Sequence, residues 1–452
     1  MSNEKQKPQI DKKEQQFLAD HALPAGHHPV SPRLMSRNAL AVTRTLKAAG
    51  YQAYIVGGAV RDIYMDTKPK DFDVATNATP EQVRALFSRN ARIIGKRFKI
   101  VHVTFAMRTP RAEIIEVTTF RGSGDAVSSS ENPDKNTARI VSAANGMLVR
   151  DNTFGTIMED VDRRDFTINA LYYDPLTDTV YDFHDGISDL ANGRIDIIGD
   201  PGTRYHEDPV RMLRAIRFSG KLDMEITPRT RDPIYSMGRL LVDVSNARMY
   251  DEMGKMLLTG NALKTFELMR MFNLVRYIFP DLDALLNSEN GGMWQKFLNL
   301  VFKGTDDRIR ANRKPNSKFL FACLLWPVLV TRIQDQIDLA GGFVRLSKRN
   351  ETDLYDAMDT VLSRQFKHTA YPHFVFEDIE IFWKLLVRMH RSDTSEKRLA
   401  GVLTNTNLKG AYDFLVYWNS VNGRIQPVVD YWVGQFRKVG INYADASPGV
   451  RA

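Results

Sequence analysis

The chain has 452 residues, of which 43% are hydrophobic and 26% are charged. This length allows two or three domains, and the composition excludes a collagen-like or wholly disordered chain. The net charge of +8 and the isoelectric point near 9.3 predict attraction to polyanions, with nucleic acid as the first candidate. A basic, solvated surface without a specific ligand fits the charge equally well.

The cysteine content and the most apolar stretch both constrain the class of protein. A single cysteine, Cys323, excludes an intramolecular disulfide framework and a multi-cysteine zinc site, and its apolar surroundings predict a buried side chain. Residues 319–330 are too few to span a bilayer and contain Pro327, so they predict a core helix and no membrane association. Residues 1–16 lack the apolar segment of a secretory signal, and we therefore expect a cytoplasmic protein.

The first elements are predicted from hydrophobic periodicity and from turn residues. Residues 1–36 are polar and predict a flexible N-terminal tail. A helical pattern follows over 38–49, and Gly50 is a suitable C-terminal stop. The apolar run 51–56 then predicts a buried strand.

A glycine pair separates this strand from the next elements. Gly57-Gly58 predicts a turn, residues 59–65 a short helix and residues 71–74 a second strand. The sequence Thr-Pro-Glu-Gln at 79–82 predicts another helix start, with a threonine cap, proline at the first helical position and glutamine reaching back.

Two further β-rich runs, 99–105 and 113–119, complete the pattern of a mixed α/β sheet domain. Between 121 and 152 the composition turns to Gly, Ser, Asp and Asn, which predicts a mobile excursion. Residues 165–198 predict renewed strands, and helical patterns dominate after Thr203.

Two carboxylates stand one residue apart in the second predicted strand. Because side chains alternate along a strand, Asp71 and Asp73 should share one face while Phe72 and Val74 face the core. Acids held this close raise each other's pKa unless a cation lies between them, and Mg²⁺ would supply one. Glu116, between β-branched residues of a later strand, is the predicted third carboxylate.

The glycine pair strengthens this interpretation, since an Asp-x-Asp sequence alone is often only an exposed turn. Gly57 and Gly58 let backbone N–H groups approach a triphosphate, and Arg61 would add positive charge one turn later. A plain tight turn is the alternative. The order strand, glycine pair, helix and acidic strand favours phosphate donors and metal ligands at the same sheet edge.

Four motifs in this order resemble a known family. They are VGGAVRD at 56–62, KDFDVATNATPEQV at 70–83, RRDFTINALYYD at 163–174 and EDPVRMLRAIRF at 207–218. All four are similar to the signature motifs of the class II nucleotidyltransferases, a superfamily that contains bacterial poly(A) polymerases and CCA-adding tRNA nucleotidyltransferases. The resemblance is specific from about residue 36 to 258 and weaker beyond.

Within the superfamily, three stretches look more like the poly(A) polymerases. They are residues 95–103, the excursion after Arg121, and residues 145–160. CCA-adding enzymes commonly have glycine where this chain has Lys99. The resemblance therefore favours the poly(A) polymerases over their sister enzymes.

The resemblance also implies residue roles. Asp71 and Asp73 would be the metal-binding catalytic pair, using two Mg²⁺ ions with Mn²⁺ as an alternative. Asp165, in the Arg-Arg-Asp motif, would be a further catalytic acid. Whether Glu116 or Asp165 completes the metal site stays open, because Glu116 follows from the strand pattern and Asp165 from the resemblance.

Two arginines precede Asp165. By the resemblance, Arg163 and Arg164 would neutralise phosphate or contact the ribose, which suits the planar guanidinium. A structural ion pair with Glu159 or Asp160 is the alternative.

The last motif would read the base of the incoming nucleotide. Family members use acidic and arginine side chains for this purpose, so Asp208 and Arg211 are the predicted contacts, with Arg214 three residues further on the same helical face. Pairing of Glu207 with Arg211 along an amphipathic helix could coexist with that role.

The resemblance implies an α+β fold in which a nucleotidyltransferase catalytic head precedes an all-helical remainder. We expect the flexible tail at 1–36, the catalytic domain at 37–200, a helical neck that recognises the nucleotide at 201–262, and a helical RNA-binding body and tail at 263–452.

The predicted function is template-independent polyadenylation of RNA 3′ ends with ATP, which releases pyrophosphate and promotes RNA turnover. The alternatives are a CCA-adding tRNA nucleotidyltransferase and an RNA-binding protein with an inactive catalytic domain. The expected partners are ATP and the 3′ ends of mRNA and other transcripts, with RNA-degradation or RNA-chaperone proteins as further candidates. We expect a monomer.

Overall fold

The computed structural model divides into two compact units, one formed by residues 1–211 with 223–233 and the other by 212–222 with 234–452. It describes residues 10–95, 99–107, 109, 112–122, 126–128, 140–142, 148–151, 153–369, 372–392 and 394–441. Most of the predicted excursion at 121–152, and part of the stretch 95–103, therefore lie outside the described residues.

The strands of the described residues all belong to the first unit. They are β1 (Ala22–Leu23), β2 (Ala53–Val56), β3 (Asp73–Thr76), β4 (Ala91–Ile94), β5 (Ile100–Phe105), β6 (Glu113–Thr119), β7 (Ala126–Ser128), β8 (Ile140–Ser142), β9 (Leu148–Asp151), β10 (Leu171–Asp174), β11 (Thr179–Asp182), β12 (Arg194–Ile195) and β13 (Glu225–Ile226).

Helices of the first unit cover both faces of its main sheet or follow it in the chain. They are α1 (Lys12–Asp20), α2 (Arg37–Ala48), α3 (Gly58–Tyr64), α4 (Pro80–Phe87), α5 (Ile157–Asp162), α6 (Gly186–Ala191) and α7 (Pro201–Glu207). Two more helices, α8 (Val210–Leu222) and α9 (Pro228–Met237), each contribute residues to both units.

The main sheet has eight strands in the order β1-β11-β10-β2-β3-β6-β5-β4. Its neighbouring strands are antiparallel except β3 and β6, which are parallel. Strands β12 and β13 form a separate parallel pair, and β7, β8 and β9 form a three-stranded sheet.

A hydrophobic core lies on each face of the main sheet. On one face, Val74, Val101 and Val117 pack with apolar residues of α2, α3 and α4. On the other, Val56 and Tyr172 pack with residues of α1 and α5. Because both cores run through the central strands, β2 and β3 are held rigidly at the middle of the sheet.

The N-terminal residues correct the prediction of a flexible tail at 1–36. Residues 12–20 form helix α1, with Asp11 capping the amide of Glu14 at 2.8 Å. Strand β1 pairs with β11 at the edge of the sheet, and Leu18 is buried in the second core. The polar composition hid these elements because only one face of α1 is buried.

Local signals in the head predicted the elements well. Helix α4 starts with the predicted capping box, in which Thr79 and Gln82 exchange side-chain and backbone hydrogen bonds. Strand β3 starts at Asp73 rather than Asp71, although Phe72 and Val74 both face the core as predicted. The α+β fold class is confirmed.

The second unit is helical in its described residues. Its helices after α9 are α10 (Asn246–Leu257), α11 (Ala262–Met271), α12 (Val275–Ile278), α13 (Pro280–Leu286), α14 (Gly291–Arg310), α15 (Ser317–Ile333), α16 (Lys348–Phe366), α17 (His373–His390), α18 (Glu396–Leu403), α19 (Leu408–Asn422) and α20 (Gln426–Lys438).

Helix α15 is the apolar centre of this unit and packs against α14, α16 and α17. Cys323 is fully buried within it, as predicted, and burial raises the pKa of its thiol well above the ordinary value. Pro327 lies inside the helix, so a proline did not break it. None of the helices in the described part of the chain combines the length and the apolarity needed to cross a membrane.

The predicted boundaries at 200/201 and 262/263 stay predictions. The division into units separates residues 201–211 from most of the later helical residues, so the predicted neck, 201–262, is shared between the two units.

Candidate active site

Asp73 and Glu116 lie side by side on neighbouring strands. Their Cα atoms are register partners across the parallel pair β3 and β6, so both side chains point to the same face of the sheet. His102 is the register partner of Glu116 on β5, and its Nε2 atom lies 3.2 Å from Glu116 Oε1. The predicted third carboxylate is thus next to Asp73.

Asp71 lies two residues before Asp73, just outside the strand, and is exposed. Burial raises the pKa of Asp73 to about 6, with a further contribution from Glu116, while Arg164 lowers it and Asp71 raises it. The direction of this shift shows that the site favours a positive charge next to Asp73.

Oxygen donors of this kind suit a hard divalent cation. Among the described residues, no group of three or more acidic, histidine or cysteine side chains is arranged to hold a metal ion by itself. Mg²⁺ commonly takes only one or two carboxylates and fills its remaining positions with water and substrate phosphates. The pair on β3 and β6 fits this mode of binding.

The glycine turn follows strand β2, which pairs with β3 so that Val56 and Asp73 are register partners. Gly57 has φ +69° and ψ −127°, a conformation that strains other residues, and its amide donates to the Leu171 carbonyl at 3.1 Å. A Cβ atom at Gly57 would lie 3.8 Å from Nη1 of Arg164. The turn, in which Gly57 is buried and Gly58 half-buried, therefore lies beside Asp73 and Arg164. The approach of the Gly57 and Gly58 amides to a triphosphate stays a prediction.

Arg61 is buried, with 4% of its surface exposed. Its Nη1 donates to Asn169 Oδ1 at 2.6 Å, and its Nε and Nη2 donate to Asp62 Oδ1 at 2.9 and 2.5 Å. The structure thus differs from the prediction that Arg61 adds charge to a triphosphate, because these bonds turn the guanidinium toward the protein. Its contacts are those of a residue that supports the turn.

Asp165 belongs to the same hydrogen-bond chain. Its Oδ1 atom accepts from the Phe166 amide at 2.8 Å and from Asn169 Nδ2 at 3.2 Å. Asn169 therefore links Asp165 to Arg61, which connects the Arg-Arg-Asp motif with the glycine turn.

Arg164 is held by a buried network. Its Nε donates to the Tyr172 hydroxyl at 2.9 Å, and its Nη2 donates to Asp160 Oδ2 at 3.2 Å. The Tyr172 hydroxyl also donates to Asp160 in a short hydrogen bond. Burial opposes the charge of Arg164, but its interactions with Tyr172 and Asp160 outweigh burial and raise its pKa. The predicted structural ion pair with Asp160 is therefore present.

Arg163 and Arg204 organise the backbone around this network. Arg163 Nη1 donates to the Gly122 carbonyl at 2.5 Å. Arg204 Nη2 donates to the carbonyls of Arg163 and Arg164 at 2.8 and 2.6 Å. Burial and the nearby Arg211 lower the pKa of Arg204 to about 10, although Glu207 acts in the opposite direction.

The last motif is organised by Glu207. Its Oε2 atom accepts from Nη1 of Arg204 at 2.8 Å and from Nη1 of Arg211 at 3.0 Å. Arg211 is buried, and the predicted pairing with Glu207 is present. Asp208 caps the end of α7, while Arg214 is half-buried and belongs to the second unit.

Sequence reasoning did not single out four residues of this site. His102, Asn169, Tyr172 and Arg204 all contact predicted site residues. Asn169 and Tyr172 lie inside a quoted motif and His102 inside the quoted stretch 95–103, so these segments carried a signal for them. The contact of His102 with Glu116 comes from strand pairing, and Arg204 is brought in by backbone carbonyls, which no local pattern reveals.

Models of known families match most of the chain in three segments. Residues 53–196 match the "Poly A polymerase head domain", residues 223–286 the "Probable RNA and SrmB- binding site of polymerase A" and residues 347–442 the "Polymerase A arginine-rich C-terminus". Poly(A) polymerase I of Escherichia coli O6:H1 is 40% identical over 438 residues, which cover 95% of this chain and 90% of the relative. The chain belongs to the poly(A) polymerase family.

Other relatives agree with this assignment. Poly(A) polymerase I of Salmonella typhi is 40% identical over 91% of this chain and 84% of the relative. The CCA-adding enzyme of Leuconostoc citreum is 34% identical but matches only 52% of each chain. The predicted preference within the superfamily is therefore confirmed, and the chain is an enzyme of the nucleotidyltransferase type.

Solved structures support the fold alone. A tRNA-processing enzyme in an apo form is similar over 90% of this chain and 94% of that one, with TM-score 0.55 and 20% identity. A tRNA nucleotidyltransferase complexed with a primer tRNA and an incoming ATP analogue has TM-score 0.53 and 19% identity, and the similarity covers 88% of this chain and 99% of that one.

Proposed function

We propose that this chain adds adenosine nucleotides from ATP to RNA 3′ ends without a template and thereby promotes RNA turnover. The observation that carries the proposal is the position of Asp73, between Glu116 on one neighbouring strand and the glycine turn on the other. Such an arrangement brings metal ligands and a place for a triphosphate together. The names of the 40% identical relatives support adenylation of RNA.

In the proposed reaction, the RNA 3′-oxygen forms a bond to the α-phosphorus of ATP. The bond from that phosphorus to the bridging oxygen of the β-phosphate breaks, pyrophosphate leaves, and the hydroxyl proton passes to water. The attacking and leaving oxygens lie roughly in line, so catalysis depends on positioning and on charge stabilisation.

Asp73 and Glu116, with Asp71 beside them, would hold divalent ions together with phosphate oxygens. Two Mg²⁺ ions, with Mn²⁺ as an alternative, would stabilise the negative charge that develops on the attacking and leaving oxygens. Between the two candidates for the third carboxylate we favour Glu116, because Asp165 Oδ1 is engaged by Phe166 and Asn169.

The basic residues divide into two proposed groups. Arg164 lies beside Gly57 and would contact the phosphates, while Arg163 would hold the backbone at Gly122, whose carbonyl accepts from its guanidinium. Asp208 and Arg211 would recognise the adenine base, and a contact of Arg214, which lies in the second unit, stays a prediction. Arg61 would keep the glycine turn in shape rather than contact the triphosphate, because Asp62 and Asn169 occupy its guanidinium.

RNA would bind to the helical half as well, where residues 223–286 match the "Probable RNA and SrmB- binding site of polymerase A". We also propose a cytoplasmic location, a monomeric enzyme, and RNA-degradation or RNA-chaperone proteins as partners. A sizing column with light scattering would test the monomer.

The decisive experiment is extension of an unstructured RNA with ATP alone and Mg²⁺. The proposal expects long A tails, and an Asp73→Ala variant that keeps its fold should lose at least about a hundredfold in rate. Strict addition of C, C and A to tRNA transcripts would overturn the assignment in favour of the CCA-adding alternative. Unchanged extension by Asp73→Ala would show that these carboxylates are not the reaction centre.

A further inference from the structure

A row of polar side chains crosses four strands of the main sheet. Asp73, Glu116, His102 and Arg92 are successive register partners on β3, β6, β5 and β4. Register partners point to the same face, and a strand spacing of about 4.8 Å places Arg92 roughly 14 Å from Asp73. The row therefore leads from the proposed reaction centre to the edge of the sheet.

Burial along these strands supports the common face. Ala91, Val101 and Val103, which alternate with Arg92 and His102, belong to the core on the opposite face. Arg92 is exposed, and among the described residues it makes no hydrogen bond or ion pair. The charge of Arg92 therefore does not stabilise the described fold through an ion pair.

The charges change sign along the row. Its inner end carries the carboxylates of Asp73 and Glu116, and its outer end carries the guanidinium of Arg92. An extended polyanion whose terminal hydroxyl reaches the acidic end would place its preceding phosphates toward the basic end. The pattern suits a nucleic-acid strand better than a compact anion, which would need several donors around one point.

In-line chemistry gives the direction of approach. The glycine turn follows β2, on the opposite side of Asp73 from β6, β5 and β4. If the triphosphate lies at the turn, pyrophosphate leaves on that side. The attacking oxygen then comes from the other side, because attacking and leaving oxygens are roughly in line.

We propose that the RNA strand approaches Asp73 across β6, β5 and β4, and that Arg92 binds a backbone phosphate close to its 3′ end. His102 lies between them and positions Glu116 through the 3.2 Å contact. The inference rests on the proposed function, since it assumes that RNA is the strand to be extended. It assigns Arg92 to RNA binding and not to ATP binding.

The test compares Arg92→Ala with Arg84→Ala in the full-length protein. Arg84 is also exposed, but it lies on α4, which packs on the opposite face of the sheet. A fluorescently labelled, unstructured RNA with a 3′-deoxy end is titrated in EDTA at several salt concentrations. Extension assays then give separate KM values for RNA and ATP.

Arg92→Ala should weaken RNA binding and raise the RNA KM by about three- to tenfold. Its plot of log affinity against log salt should lose about 0.7 in slope, the value for one phosphate contact on a single strand. The ATP KM should stay within about twofold, Arg92→Lys should recover most of the binding, and Arg84→Ala should match wild type.

An unchanged salt slope and RNA KM in a folded Arg92→Ala protein would overturn the inference. So would an increase confined to the ATP KM, because Arg92 would then belong to the nucleotide side. If wild type failed to extend any RNA, the proposed function would fall instead, while the binding slope would still decide whether Arg92 contacts RNA.

Discussion

Asp73 and Glu116 are register partners on parallel strands, and burial together with the charge of Glu116 raises the pKa of Asp73 to about 6. An unfolded aspartate titrates near pH 3.9. The native state therefore holds more protons than the unfolded state between these two values, and stability falls as pH rises through this window. Well above pH 6, where Asp73 is ionised in both states, the penalty is complete.

Replacing Asp73 with Asn should therefore stabilise the metal-free head domain at pH 7.5 by about 1–3 kcal/mol. At pH 5 the gain should be smaller. Hydrogen exchange of peptides from β3 and β6, measured in EDTA, would report this stability. Asp71→Asn is the control, because Asp71 is exposed and should change stability by less than about 0.5 kcal/mol. A pH-independent gain would argue against an ionised, penalised Asp73.

Short-range patterns predicted those parts of the site that depend on neighbours in the chain. Alternation predicted that Phe72 and Val74 face the core, which puts Asp73 on the other face. The capping signal at Thr79 predicted the start of α4. In each case a residue and its partner are separated by only a few positions, so a short stretch of sequence contains both interacting residues.

Long-range pairing could not be predicted in this way. The parallel register between Asp73 and Glu116 joins residues 43 positions apart, and the choice of neighbours in a sheet depends on the packing of both faces. Arg61 shows the same limit. Its position suggested a phosphate contact, but Asn169, 108 residues later, accepts its hydrogen bond.

The hydroxyl of Tyr172 connects Arg164 with Asp160, and its removal should loosen both. Tyr172→Phe leaves the buried Asp160 with one donor fewer, which costs about 1–3 kcal/mol. If Arg164 contacts the phosphates, the ATP KM should also rise several-fold while the RNA KM changes little. Tyr181→Phe is the control, since among the described residues the Tyr181 hydroxyl bonds neither Arg164 nor Asp160. Equal effects of the two variants would contradict a specific role for the network.

The glycine turn can be tested by adding a single methyl group. Gly57→Ala meets no close atom, because the nearest ones lie at 3.7 and 3.8 Å, so its cost comes from the positive φ of +69°. We expect a loss of about 1–2 kcal/mol and a higher ATP KM.

Gly254→Ala is the control for Gly57→Ala, because we expect it to stabilise the protein rather than destabilise it. Gly254 lies inside α10 in open space, and alanine there should stabilise the protein by about 0.5–1 kcal/mol. Thermal unfolding and ATP kinetics would be measured for both variants. If Gly57→Ala kept wild-type stability and ATP KM, the backbone of the turn would not need its present conformation.

In the second unit, a buried aspartate caps a helix that is distant in sequence. Asp306 on α14 is 2% exposed, and its carboxylate accepts from the amides of Ala262 and Leu263 at 2.7 and 3.1 Å, at the start of α11. Burial raises the pKa of Asp306, although both amide hydrogen bonds lower it. Burying this carboxylate costs free energy, and the hydrogen bonds from both amides offset that cost.

Asp306→Ala should destabilise this unit by about 2–3 kcal/mol, because two buried amides lose their acceptors. Asp306→Asn should lose less, since one carbonyl oxygen remains. Asp307→Ala is the matched control, because in the described part of the chain Asp307 forms ion pairs with the surface cations Lys303 and Arg310, and its loss should cost less than about 1 kcal/mol. The chain's tryptophans all lie in the second unit, so urea unfolding followed by tryptophan fluorescence reports on this unit. Equal urea midpoints for the two alanine variants would mean that the cap does not stabilise α11. Other contacts would then have to hold α14 against α11.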